Sequence, residues 1–466
     1  MHLMKNIYLR DIYLLRRQNR SRDDTIRTQI RADGGEPLRW AVVRAKYEAG
    51  SSFDVEGTVL AGGSSRAAFP TKLLRKKQLP AHDMVVMHIV PTGVRAAVGG
   101  SLGDAMPVNM ALSRLGALVV THPNTCNGGP YNPIDPERMF YVEGFTLDEF
   151  ASGNVLLEPI PANQIGVIID QGSGDKWAID LALNQVSALY ADCGLHIAGV
   201  EITDEPVGGR AVVSRESGAM TGEVKNIETV FRAAEHLIAK GASAIAVFTF
   251  VDTPENYWTQ YFGGDFPNPV GVVEANISRS LAFRFGLPSA HAPLLTKAEV
   301  DFLQSRGIVK NPAAAGDAAV PFYIGSVLRG LQQAPRPVSS RAIYKSEEAL
   351  HFNSVSALIC PASCMGGIPM MRAEDSGIPI IGVRQNKTVL EVSASSLGYY
   401  HALEVDSYLG AIGLLMLARG KGDFSSAALK ELYRTYEKSL ADYGRRACEE
   451  VGINPATLLR PIAPVV

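Results

Sequence analysis

Cysteine is scarce in this sequence, with five in 466 residues. A set that is both sparse and odd in number excludes a disulfide framework and predicts a reducing, cytoplasmic setting. Long apolar runs are also missing. Stretches such as Gly413-Leu414-Leu415-Met416-Leu417-Ala418 stop far short of the ~20 residues that span a bilayer, so no membrane partner is expected. The first residues lack the continuous apolar stretch of an export signal. Charge of one sign is not in excess either. Forty-five Lys and Arg balance 47 Asp and Glu, leaving no basic field to hold a nucleic acid.

Catalytic signatures are equally thin. There is no H-E-x-x-H and no G-x-S-x-G elbow, and the Cys360/Cys364 spacing is one residue too long for a C-x-x-C metal pair, so neither zinc nor a serine hydrolase is expected. No metal or organic cofactor is called for.

What is present is globular: 46% hydrophobic residues, enough for a large core. Short apolar runs at Val85–Val90, Ala117–Val120, Gly166–Ile169, Ile197–Val200, Ala244–Phe248, Val355–Ile359 and Ile378–Val383 read as covered strands. Between them lie segments of helical spacing, including Thr229–Ile238 and Tyr408–Ala418. This alternation predicts an α/β protein of two Rossmann-like halves with mainly parallel sheets around a central cleft. The expected divisions are an arm over 1–40, halves over 41–220 and 221–420, and a helical segment over 421–466. The arm carries Arg16, Arg17, Arg20, Arg22, Arg27 and Arg31 without an apolar stripe. It reads as a solvated or subunit-interface extension, and a homodimer is the default expectation.

A short repeat stands out. Pro123-Asn124-Thr125-Cys126-Asn127-Gly128-Gly129 and Pro361-Ala362-Ser363-Cys364-Met365-Gly366-Gly367 share P-x-[ST]-C-x-G-G, each just after a predicted strand. Strand ends of this kind are where open α/β sheets bind ligands. Two thiols facing each other across a cleft can take a proton from one face of an acidic carbon and return one to the other. The paired glycines, with Asn124, would bring backbone donors close to the substrate. A glycine-rich turn with Thr92, Gly93, Arg95, Gly99 and Gly100 reads as an anion site, and it has neither the Walker ending nor dinucleotide spacing. Asn386 and Lys387 follow the last predicted strand, where the lysine could hold a carboxylate or act as a base. His291 and Glu274 are polar residues in apolar surroundings, and His122 adjoins the first cysteine loop.

The runs Ile89-Val90-Pro91-Thr92-Gly93, Thr121-His122-Pro123-Asn124, Tyr141-Val142-Glu143-Gly144, Ala290-His291-Ala292-Pro293 and Asn386-Lys387-Thr388 resemble a family of bacteria, cyanobacteria and plastids. It is known as domain-of-unknown-function family 3326. The resemblance spans about Met84 to Leu415 and implies no reaction. From the residues, the leading expectation is a cofactor-independent racemase or isomerase of a small carboxylate or cyclic imide. Cys364 and Cys126 are its acid/base pair, with His291 and Lys387 as further catalytic candidates. Thr92, Gly93, Arg95, Gly99, Gly100, Asn124, Gly128, Gly129, Gly366, Gly367 and Asn386 would bind an anionic small molecule. The rivals are a cysteine-nucleophile hydrolase or lyase of an amide or imide and a non-catalytic anion-binding protein.

Overall fold

Strands that are apolar on both faces can be satisfied only when helices or other sheets cover both sides. The computed structural model meets that demand with two parallel sheets. It describes residues 3–13, 21–33, 35–47, 51–62, 65–74, 77–100, 104–126, 137–172, 174–305, 307–309, 315–316 and 323–458. The first parallel sheet has six strands. Their spatial order is Met139–Tyr141, Leu118–Thr121, Val85–His88, Ala357–Pro361, Ile380–Val383 and Ala402–Val405. Numbered along the chain this is 3-2-1-4-5-6, the doubly wound Rossmann order. The order of strand addition reverses between the parallel neighbours Val85–His88 and Ala357–Pro361. That reversal opens a crevice at the carboxyl ends of the two strands.

The second parallel sheet lies between the two halves of the first in sequence. It orders Ser289–Pro293, Ala244–Thr249, Ile165–Ile169 and Ile197–Ile202. The fold class is therefore α/β as expected, but the two sheets are nested rather than consecutive. The boundary expected at 220/221 falls inside the strand Met220–Val224. The terminal helices also belong to the first sheet's core. Leu429, Leu432 and Leu440 of the helix Ser426–Glu450 are buried in it.

The expected arm is overturned most clearly. Leu3–Tyr13 is the fourth strand of a six-stranded sheet, paired antiparallel with Ser52–Ala61 and, at Met4, with Met220–Val224. The helix Arg22–Ala32 buries Ile26 and Ile30. Its Asp23 is also buried, held by Arg27 at 2.7 Å and Arg372 at 2.7 Å. Arg27 and Arg31 make ion pairs, and Arg22 donates to the Leu397 carbonyl. Arg16, Arg17 and Arg20 lie outside the described residues.

The antiparallel sheet meets the first parallel sheet at a glycine pair. Val42 N–H donates to the Gly366 carbonyl at 2.9 Å, and Ala41 bridges Gly367. A Cβ on Gly366 would lie 2.3 Å from the Val42 carbonyl oxygen, so only glycine admits the approach. Alanine at Gly366 is expected to cost about 2–4 kcal/mol. Alanine at Gly153, which has positive φ but open space, should cost only about 1 kcal/mol. Urea midpoints at unchanged slope measure both.

Candidate active site

The crevice at the sheet's reversal point is roofed by the antiparallel strand Glu36–Lys46 and walled by the helix Gly271–Phe285. The cavity, which opens to solvent, has an empty volume of about 1050 Å³. A second lobe of about 700 Å³ shares Thr92, Pro123, Asn124 and His291 with it.

Two arginines line the main cavity. Arg279 is neutralised by Asp148 at 2.7 Å and also donates to the Leu38 carbonyl at 3.0 Å. Gly144 leaves room for it, since a Cβ there would lie 2.5 Å from its Nη2. Arg39 is different. It is half-buried, and its guanidinium has no hydrogen-bond or ion-pair partner among the described residues. The nearby Glu56 carboxylate instead accepts from Ser217 Oγ at 2.7 Å. Burial, then repulsion from Arg279, brings the Arg39 pKa down to about 10, which still leaves it charged. Glu56 and Asp148 act on this guanidinium only through their field, so it faces the cavity with no hydrogen-bonded carboxylate among the described residues and can take an anion.

Two imidazoles face the same space in fixed tautomers. His122 Nε2 accepts from the Val90 N–H at 3.0 Å, so its proton sits on Nδ1. His291 Nδ1 lies 2.9 Å from Ser278 Oγ, whose own proton goes to the Ala275 carbonyl at 3.1 Å. His291 therefore donates through Nδ1 and keeps a free lone pair on Nε2. Burial is the main cause that lowers both pKa values to about 3, with Arg279 adding repulsion, so both rings are neutral. Glu143 completes the polar wall. It caps the helix Gly144–Ala151 through Oε2, accepting from Phe145 N–H at 2.8 Å, while Oε1 is buried without a partner among the described residues. Burial pushes its pKa up to about 7 against the pull of Arg279.

Cys364 lines this cavity, beside Gly367 and Ile368. Burial raises its thiol to about 12, partly offset by Arg39. Its sulfur has no hydrogen-bonded base among the described residues, so it is a protonated thiol rather than an activated nucleophile. Thr92 and Asn124 also line the cavity, and Asn124 Nδ2 ties down the turn by donating to the Val90 and Pro91 carbonyls at 2.8 and 3.2 Å.

Other candidates are placed elsewhere. Cys126 is 0% exposed and belongs to the core behind the first sheet, whereas Cys364 packs in the core on the other side. Asn109 Nδ2 contacts its sulfur at 3.5 Å within a buried Thr121–Thr125 network. The two thiols therefore do not share a cleft. The matching heptapeptides mark similar strand ends, but the second points its cysteine into the cavity and the first into the core. Gly128 and Gly129 lie outside the described residues.

Arg95 and Lys387 are exposed and line neither lobe. Asn386 is buried and structural. Its side chain pairs with Val98 N–H at 2.9 Å and the Val98 carbonyl at 2.8 Å, acting like one residue of a strand. Gly93 and Gly99 serve packing, because a Cβ would lie 2.1 Å from Val272 and 2.7 Å from Val90 respectively. Gly100 lines the second lobe and donates its N–H to the Asn124 carbonyl at 2.9 Å. Gly366 and Gly367 dock the antiparallel strand rather than forming an oxyanion nest.

Residues 85–428 match the family described as "Protein of unknown function (DUF3326)". The chain belongs to this family. A protein of Synechococcus sp. named an uncharacterized lipoprotein is 34% identical over 345 residues, covering 73% of this chain and 92% of its own length. No solved structure matches. No helix among the described residues is long and apolar enough to cross a membrane. His122, Glu143, Arg279, His291 and Cys364 all fall inside the DUF3326 segment, whereas Arg39 precedes it.

Arg39 and Arg279 escaped sequence reading. The first sits in the supposed arm and the second on the helix Gly271–Phe285, where no motif marked it. Glu143 had one signal, its place in the family-like run Tyr141-Val142-Glu143-Gly144. Nitrogen-15 NMR of the imidazoles tests the tautomers. Both rings should remain neutral with Nδ1 protonated from pH 7 down to about pH 4. A proton on His291 Nε2 at neutral pH would contradict the assignment.

Proposed function

We propose that this DUF3326 protein is a cofactor-independent isomerase or racemase of a small carboxylate, working through His291 and Cys364 rather than two cysteines. The observation that supports it most is the unpaired Arg39 guanidinium in a cavity that also holds a neutral imidazole with a free Nε2. In this reading Arg39 takes the substrate carboxylate. His291 Nε2 removes the proton from the adjacent carbon, and the C–H electron pair moves onto the carbonyl as an enolate. His122 Nδ1–H donates to the developing oxyanion, and the neutral ring suits that task because it stays a donor without giving up its proton. The Cys364 S–H then returns a proton to carbon, the thiolate left behind is balanced by the His291 imidazolium, and proton exchange with solvent after product leaves restores the neutral imidazole and thiol. A bound carboxylate also offsets the positive field at His291 and so strengthens it as a base.

A cysteine-nucleophile hydrolase is less well supported, because no base is hydrogen-bonded to the Cys364 thiol. The five free cysteines support a reducing location as part of the proposal. The lipoprotein name of the Synechococcus protein describes that relative alone.

Small carboxylates incubated with the protein in D2O provide the test. The expected result is one deuterium incorporated next to the carboxylate, slowed about 10²–10⁴-fold by His291→Gln and little changed by Cys126→Ala. Arg39-dependent binding without any exchange would establish the anion-binding rival instead.

A further inference from the structure

The second lobe of the cavity contains a carboxyl that the chemistry above does not use. Glu274 lies in the first turn of the helix Gly271–Phe285 and is 2% exposed. Its Oε1 is buried with no hydrogen-bond partner among the described residues. An acidic residue in a first helical turn ordinarily serves the helix N-terminus. Here that work is done by Asn268, whose Oδ1 accepts from the Val270 and Gly271 N–H groups at 3.1 and 3.2 Å. Among the described residues no cation is set beside Glu274, and burial alone raises its pKa well above the usual carboxyl value. Burial thus favours its uncharged acid form, which carries one donor and one acceptor.

A second orphan accompanies it. Trp258, 6% exposed, lines the same lobe, and its Nε1–H finds no acceptor among the described residues. The rest of the wall includes Val270, Leu295 and Leu303. A buried polar group left unsatisfied costs roughly 1–3 kcal/mol, so two in one apolar lobe point to a ligand that satisfies them.

We propose that this lobe recognises an uncharged amide edge, so that the substrate is a carboxylate bearing a lactam or imide group. The proposal deepens the reading above and rests on it for the carboxylate end. A neutral acid and an amide exchange two hydrogen bonds without burying charge: the Glu274 O–H donates to the amide carbonyl, and its carbonyl oxygen accepts the amide N–H. An ammonium group would instead require Glu274 to ionise and an ion pair to be buried among aliphatic side chains, where desolvation opposes it.

Glutarimide, which has the amide edge but no carboxylate, separates this claim from the one on Arg39. Its binding is followed by ligand-observed NMR. Wild type, Glu274→Gln and Arg39→Leu should all bind it, because glutamine also offers one donor and one acceptor. Glu274→Leu should bind about tenfold or more weakly while still binding malonate through Arg39, which shows that it is folded. Failure of wild type to bind glutarimide would overturn the proposal, as would undiminished binding by Glu274→Leu. Loss in Glu274→Gln, with n-propylammonium binding to wild type, would overturn it in favour of a cation. Malonate binding that ignores Arg39→Leu would sink only the earlier reading.

Discussion

Strand Glu36–Lys46 is tied to the parallel sheet by the Val42 N–H to Gly366 carbonyl bond and the Ala41–Gly367 bridge, with Trp40 and Val42 packed in the shared core. The rest of the site depends on that contact. It closes the crevice at the sheet's reversal point and carries Arg39 over it from a part of the chain that lies outside the DUF3326 match. Without the glycine pair the strand would stand off, and the cavity would open to water along one side. Exposed to solvent, the same guanidinium would be screened and would attract an anion far more weakly.

Inside the cavity the charges are arranged to leave one task undone. Arg279 is matched by Asp148. Burial brings the Glu143 carboxyl up to about 7, and both imidazoles are uncharged. Arg39 is left as the cation without a partner among the described residues, surrounded by groups that can donate or accept protons but do not cancel it. A carboxylate entering this space gains a charge-assisted bidentate contact and meets a donor at His122 and an acceptor at His291. In the proposed reaction, binding and proton transfer are drawn from different residues, the first from the N-terminal sheet and the second from the family segment.

The parallel strands were legible in the sequence because they are buried on both faces and read as unbroken apolar runs. Val85–His88, Ile165–Ile169 and Ala244–Thr249 lie where expected. The antiparallel sheet was hidden. Its first strand, Leu3–Tyr13, is mostly half-buried or exposed without regular alternation, buries only Met4 and carries charges along its length, so periodicity alone does not separate it from a solvated segment. The nesting of one sheet within the other was also invisible, since strand order is fixed by tertiary packing. At the site, Cys364, His291, Thr92 and Asn124 were read as candidates and line the cavity, because strand ends of an open sheet converge there. Cys126 misled, for a shared heptapeptide fixes local backbone and not the direction of a side chain relative to the cleft. Lys387 and Arg95 misled for the opposite reason: long cations beside functional turns can simply face solvent.

The central claim is that Arg39 is the anion-binding group of this cavity. A crystal structure with malonate bound tests it most directly. The account predicts a carboxylate paired with the Arg39 guanidinium and one of its oxygens within hydrogen-bonding reach of His122 Nδ1. Malonate bound only outside the cavity, or Arg39 turned away to pair with Glu56, would contradict it.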